Sequence, residues 1–232
     1  MIKMGGLMTK ILLFSGGLDS FCLRKIIEPD INLYIDIGTE DGEREIKNIK
    51  EMPFDVKIID FPLSSFELDN KIIPFRNNFF TLLAAQYGEK IFMGATKGDT
   101  TKDKDYIFKS QMENILNYFA LDKHKVRVKE YPYKVKMPFK EMTKTDIIKK
   151  YLEKGGTAKE LKLSRSCYKS GEKECGKCRS CLRKAVAYKL NDLDYNEIFE
   201  SDPLKNISKE NHEKMLSRKG EGDNYETLLS RI

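Results

Sequence analysis

Two groups of residues in this sequence have the types and spacings to do chemistry. The first is Ser15-Gly16-Gly17-Leu18-Asp19-Ser20, directly after the apolar run Ile11-Leu12-Leu13-Phe14. Paired glycines let a backbone bend and approach a ligand with no side chain in the way. The amides of such a turn, and of the helical turn after it, lack internal acceptors; with the helix dipole they form an anion site. Ser15 and Ser20 add hydroxyl donors, and Asp19 adds a carboxylate able to hold magnesium. That set suits pyrophosphate and makes all six residues candidates for binding a nucleotide. A ligand-free strand, turn and helix with small polar residues has the same local pattern. Neither a Walker A pattern nor GxGxxG is present.

The second group is Cys167, Cys175, Cys178 and Cys181, four of the five cysteines, spaced C-x7-C-x2-C-x2-C. A thiol set this dense points to a metal site ahead of a disulfide framework. Four thiolates satisfy tetrahedral zinc and leave no open position for catalysis, so a structural zinc is expected. Gly176 permits a tight turn between Cys175 and Cys178, and nearby lysines and arginines offset the charge of a tetrathiolate. A redox-active pair would leave two cysteines unexplained. An iron–sulfur cluster also uses C-x2-C-x2-C runs, but the C-x3-C-P continuation is missing. Cys22, between Phe21 and Leu23, reads as a small core residue.

These groups need a scaffold, and 232 residues have room for one sizeable α/β domain with a small appendage. The apolar run before Ser15 predicts a strand buried on both faces, followed by a helix from Asp19 to about Ile27. Further strands are expected at 32–38, 56–61, 90–95 and 126–131. Helices are expected at 41–50, at 77–87, and from the N-cap Thr143 to about Leu152. Strands alternating with helices predict a parallel sheet that binds ligands beyond the carboxyl ends of its strands. Ser15, Gly38 and Ala95 stand at such ends, so one cleft should collect them. The stretch Lys97 to Asp105 is either a loop closing on that cleft or a solvated connection. A boundary is expected after Gly155-Gly156. It leaves 1–155 as the nucleotide domain, 156–200 as the four-cysteine module and 201–232 as a charged helical tail. That tail reads as a dimer arm or a loosely packed end.

The formal charge of +6 suits anionic small molecules such as ATP. The scattered lysines read as solvated faces ahead of a nucleic-acid footprint. No apolar run approaches a membrane span, and the opening residues lack the pattern of a secretory signal, so a cytoplasmic location is expected.

The first group resembles the SGGxDS loop of the N-type ATP pyrophosphatases, which cleave ATP between the α and β phosphates and adenylate a substrate oxygen. Both groups together are similar to the 7-cyano-7-deazaguanine synthase family, the nitrile-forming enzymes of queuosine-precursor synthesis. Ser166-Cys167-Tyr168 and Cys175-Gly176-Lys177-Cys178-Arg179-Ser180-Cys181, with Arg183 two residues on, resemble the family's Cys-Tyr and CGxCxxCxxR. Pro74-Phe75-Arg76-Asn77 is similar to its Pro-x-Arg-Asn. Pro138 and Lys144-Thr145-Asp146 are similar to its Pro-Leu…Lys-x-Glu segment. The resemblance spans about Lys10 to Ala187.

It implies a Rossmann-like PP-loop (adenine nucleotide α-hydrolase) domain with a small C-terminal zinc module, and a homodimer. It also implies that ATP adenylates the carboxylate of 7-carboxy-7-deazaguanine, that ammonia displaces AMP to give the amide, and that a second activation dehydrates the amide to the nitrile. Under that resemblance the Ser15–Ser20 amides stabilise the departing pyrophosphate and magnesium sits near Asp19. Lys144 reaches the α phosphate, and Arg76 or Arg183 holds an anionic group through a bidentate contact. For these three cations a surface salt bridge is the alternative.

The sequence departs from the family in two places. Its Tyr-Gly-Gln-Arg-His-like element is replaced by Ile37-Gly38-Thr39-Glu40-Asp41-Gly42. Its Asp-Tyr-Ser-Gly-Tyr-Pro-Asp-like segment is replaced by Lys97-Gly98-Asp99-Thr100-Thr101-Lys102-Asp103, with no aromatic before Tyr106. The nucleotide and zinc halves are matched better than the acyl-substrate half. Four readings follow: nitrile or amide synthesis; transfer of the same activated carboxylate to another amine, on a protein partner for instance; a tRNA-modifying pyrophosphatase; and a non-catalytic nucleotide-binding module.

Overall fold

The computed structural model describes residues 8–120, 132–167, 169 and 171–231. Its sheet is built from β1 (Lys10–Leu13), β2 (Ile31–Asp36), β3 (Lys57–Asp60), β4 (Lys90–Phe92) and β5 (Lys134–Lys136). All pairings are parallel, in the order β3-β2-β1-β4-β5. The strand expected at 126–131 lies outside the described residues. The strand beside β4 is the three-residue β5, placed by pairing Ile91 with Val135.

Strand side chains alternate between faces, and here both faces are apolar. Ile11, Leu33, Ile91 and Val135 share one core, while Leu12, Tyr34 and Phe92 share the other. Both must be covered by helices. The first is covered by α3 (Arg76–Ala84) and α4 (Tyr106–Ala120), through Ala84, Phe108, Met112 and Leu116. The second is covered by α1 (Leu18–Ile27), α2 (Glu40–Lys50), α5 (Lys144–Glu153) and α7 (Arg179–Lys189). Cys22 is fully buried in that second core. Thr143 caps α5 in a reciprocal box: its hydroxyl accepts the Asp146 amide at 3.2 Å, and Asp146 accepts the Thr143 amide at 2.8 Å.

After the short α6 (Ala158–Leu161) and α7, the chain ends in α8 (Lys209–Leu216) and α9 (Glu221–Leu229). Met215, Tyr225 and Leu228 pack on Leu182 and Val186 of α7. The final segment is therefore neither a projecting arm nor a loose end; it is a helical hairpin docked on the body. Among the described residues no helix is long and apolar enough to cross a membrane.

The chain leaves β1 for β2 on one side and reaches β4 on the other. The carboxyl ends of β1 and β4 thus flank the crevice where the winding direction reverses, the expected ligand position in an open parallel sheet.

Candidate active site

A cavity of about 350 Å3 occupies that crevice, a volume that suits a small-molecule ligand. Ser15, Gly17, Leu18, Asp19 and Ser20 line it, and so do Ala95, Arg76, Lys144 and Arg183. Gly16 shapes the turn from behind. Its φ is +71°, a conformation open to glycine, and its carbonyl accepts the Arg165 amide at 2.9 Å. Gly17 is the N-cap of α1 and brings no capping side chain to the first-turn amides. The Ser20 hydroxyl donates to the Gly17 carbonyl at 3.0 Å and lies 3.3 Å from the Ser15 hydroxyl. Gly38 turns the chain at the mouth, its amide donating to Asp36 at 2.9 Å; its neighbours Ile37 and Thr39 line the cavity.

The three singled-out cations stand in different situations. Lys144, at the first turn of α5, is buried and places its Nζ 2.5 Å from Oδ1 of Asp19. Arg76 opens α3 and is exposed, its guanidinium 5.8 Å from the Phe80 ring centroid. Arg183 is held side-on by Glu221, through Nε at 2.5 Å and Nη2 at 2.8 Å. It borders the cavity as half of a buried ion pair rather than as a free clamp. The family's CxxR spacing counts from Cys181 to residue 184, which is lysine here. Lys184 points into the core, 2.5 Å from Glu174 and 2.7 Å from the Ser164 carbonyl.

Cys167, Cys175, Cys178 and Cys181 come together with their sulfurs within 4.8 Å of one another. Sγ separations include 3.4 Å for Cys178–Cys181, 3.9 Å for Cys175–Cys181 and 4.0 Å for Cys178–Cys167. A tetrahedron with Zn–S bonds of about 2.3 Å has S–S edges of about 3.8 Å. The set can hold a metal ion. Backbone amides of Lys169 and Cys175 donate to Cys167, and that of Lys177 donates to Cys175. The Cys178 and Cys181 thiols, with the Cys175 and Lys169 amides, pull the Cys167 thiol well below its ordinary value. Gly176 has φ of +69°, and a Cβ there would lie 1.7 Å from the Ser201 carbonyl oxygen, so only glycine fits. Tyr168 of the Cys-Tyr motif lies outside the described residues.

The cysteine segment is joined to the Ser15–Ser20 turn. Besides the Arg165–Gly16 bond, the Leu18 amide lies 3.5 Å from the Ser166 hydroxyl, and Ser166 and Cys167 line the cavity. Sequence reading missed this clamp, and it also missed Asp99. In the Lys97–Asp105 stretch Asp99 accepts the Thr96 amide at 2.9 Å and the Arg218 guanidinium at 3.0 Å. That stretch is pinned to the C-terminal hairpin.

The model of the family described as queuosine biosynthesis protein QueC matches residues 53–192, more than half of the chain. The chain belongs to the queuosine biosynthesis protein QueC family. Relatives of this QueC-family chain are named 7-cyano-7-deazaguanine synthase. One, from Methanobrevibacter smithii, is 29% identical over 240 positions, covering 82% of this chain and all of the relative. Another, from Sulfurimonas denitrificans, is 31% identical over 184 positions, 73% of this chain and 74% of its own. A third, from Methanosarcina mazei, is 27% identical over 229 positions, covering 78% and 94%. The chain is an enzyme of the synthase type.

Proposed function

We propose that this QueC-family enzyme uses ATP to activate the carboxylate of 7-carboxy-7-deazaguanine and converts it, with ammonia, to the amide and then the nitrile. One observation carries the reading: the glycine turn at the sheet's crevice is bonded directly to the lead-in of the four-cysteine cluster. An anion-binding turn and a thiolate knot built as one unit match the two features that the family resemblance joins.

A carboxylate is a poor acyl donor until one oxygen becomes part of a leaving group. The substrate carboxylate attacks the α phosphorus, the bond to the bridging oxygen breaks, and pyrophosphate leaves. Ser15, Ser20 and the turn amides are prepositioned donors for that departing charge. Asp19 is the candidate magnesium ligand, and a magnesium ion there would neutralise phosphate charge. Lys144 is the candidate contact for the α phosphate, and Arg76 offers a second cation from the opposite wall. Ammonia then attacks the acyl carbon and AMP leaves. In the second round the amide oxygen is adenylated, and loss of AMP with the amide protons leaves the nitrile. The cysteines are assigned to structural zinc: Cys167, Cys175, Cys178 and Cys181 would hold the ion, and it would anchor the 165–167 lead-in against the turn.

The test is incubation with ATP, magnesium, 7-carboxy-7-deazaguanine and ammonium, followed by mass spectrometry. The nitrile product is expected. AMP and pyrophosphate without nitrile would redirect the activated carboxylate to another amine, a reading favoured by the absence of an aromatic between Lys97 and Asp105. No consumption of ATP would sink the proposal.

A further inference from the structure

The turn between α8 and α9 reaches three cavity-lining elements at once. From Arg218, Nη2 meets Oδ1 of Asp99 at 3.0 Å and Nε lies 2.7 Å from Oε2 of Glu221. Glu221, only 2% exposed, grips Arg183 side-on. Asn224 donates to Oγ1 of Thr143 at 2.9 Å, the residue that caps α5 directly before Lys144. The turn also packs against the 97–99 loop, where a Cβ on Gly98 would lie 2.5 Å from Nε of Arg218.

Such a network is more than packing. The Arg183 guanidinium, held by Glu221 through both Nε and Nη2, has its plane fixed, and its remaining donors are aimed rather than free to sample rotamers. Asp99, held by Arg218 and by Lys104 at 3.7 Å, in turn fixes the backbone at Thr96, just past the end of β4. Glu221 and Arg218 are themselves off the cavity lining, whereas Arg183 and Asp99 are on it. The pairs are charge-matched: Glu221 lies between two guanidiniums, and Asp99 between Arg218 and Lys104. The Met215, Tyr225 and Leu228 contacts already attach the hairpin to α7 without these ion pairs.

We infer that Glu221 and Arg218 are positioning residues of the active site: the C-terminal hairpin orients Arg183 and Asp99 at the lining of the cleft assigned to ATP. The inference rests on the ATP-binding part of the proposed function and not on the identity of the acyl product. Arg183 stands one residue before the cation position of the family's CxxR spacing.

The test is a double-mutant cycle on equilibrium binding of ATP with magnesium to the intact, metal-loaded protein by calorimetry. Its variants are Glu221→Gln, Arg183→Met and the two combined. Circular dichroism and metal content verify that each is folded. If Glu221 acts through Arg183, each single variant weakens Kd at least tenfold and the double variant is no weaker than Arg183→Met alone. Arg218→Lys, which keeps the charge and loses the Nη2 bond to Asp99, should also weaken binding. Met215→Ala, which loosens the hairpin core without touching the network, should lower the melting temperature and leave Kd within twofold.

Additive losses in the cycle, or a folded Glu221→Gln protein that binds ATP within twofold of wild type, would overturn the inference. So would a Met215→Ala protein that loses as much affinity as Glu221→Gln. Wild-type protein that binds ATP but makes no deazaguanine product refutes the proposed reaction alone and leaves the cycle informative. Wild-type protein that binds no ATP refutes both.

Discussion

Replacing Lys184 with Met isolates the energetics of the buried pair beneath the cysteine cluster. Lys184 is fully buried and Glu174 is 4% exposed, with Nζ and Oε1 2.5 Å apart. The same ammonium donates to the Ser164 carbonyl at 2.7 Å. Methionine fills most of the lysine stem, so the packing loss is small. What remains is a carboxylate and a carbonyl stranded without their donor. Exposed ion pairs contribute about 0–1 kcal/mol, but breaking a buried pair from one side costs about 3–5 kcal/mol. At roughly 2–4 °C per kcal/mol for a chain of this size, Lys184→Met should lower Tm by about 6–20 °C. Adding Glu174→Gln removes the stranded charge, and the double variant should recover at least half of the loss. Oε2 of Glu174 lies 3.9 Å from Sγ of Cys181. Metal content must therefore be measured alongside urea unfolding followed by circular dichroism. A single variant within about 1 kcal/mol of wild type, or a double variant no more stable than the single, would refute the reasoning.

Asp19→Ala should lower turnover by about 10²–10³-fold, the scale of losing one preorganised charge-stabilising group, while metal content stays constant. Near-normal pyrophosphate release from that variant would show the catalytic placement to be wrong. Cys175→Ser should impair folding and metal retention together, because ligand binding energy is folding energy in such sites; unfolding curves with and without a chelator read this out. Acid should unfold the hairpin network first. Burial alone would raise the Glu221 and Asp99 carboxyls. The Arg183 contact outweighs burial at Glu221, and Lys104 with the Thr96 amide does so at Asp99, so both sit below their ordinary values. Their stabilisation is complete above the unfolded values, about 4.3 and 3.9, and is lost as pH falls through the lower folded values. Urea midpoints should thus drop steeply below about pH 4, and Glu221→Gln should flatten that limb.

How much was legible in advance follows from where the information lies. β1, β2 and β4 were readable because strands buried on both faces write unbroken apolar runs, and Thr143 because a capping box is spelled out within four residues. The Lys134–Lys136 strand was not. Three residues carry no period, and its place is set by pairing with Lys90–Phe92. The cysteines announced themselves through donor type and spacing. Their attachment to the glycine turn did not, because Leu18 and Ser166 are 148 residues apart. The Glu221 and Arg218 contacts were equally invisible. They span 38 residues to Arg183 and 119 to Asp99, and nothing local distinguishes these side chains from the chain's many surface charges.

The clamp between Gly16 and Arg165 has a consequence for biogenesis. The Ser15–Ser20 turn is synthesised well before the residues that hold it from outside: its partners at Lys144, Arg165 and Ser166 follow 125 to 149 residues later. At roughly 5–20 residues per second, the nascent turn has only its internal bonds for several seconds to half a minute before these distant contacts can form. Under the proposed function, nucleotide binding therefore waits until residues beyond Ser166 have been made. Ribosome-bound chains stalled short of Arg165 should pass through an immobilised-ATP column that retains the released protein.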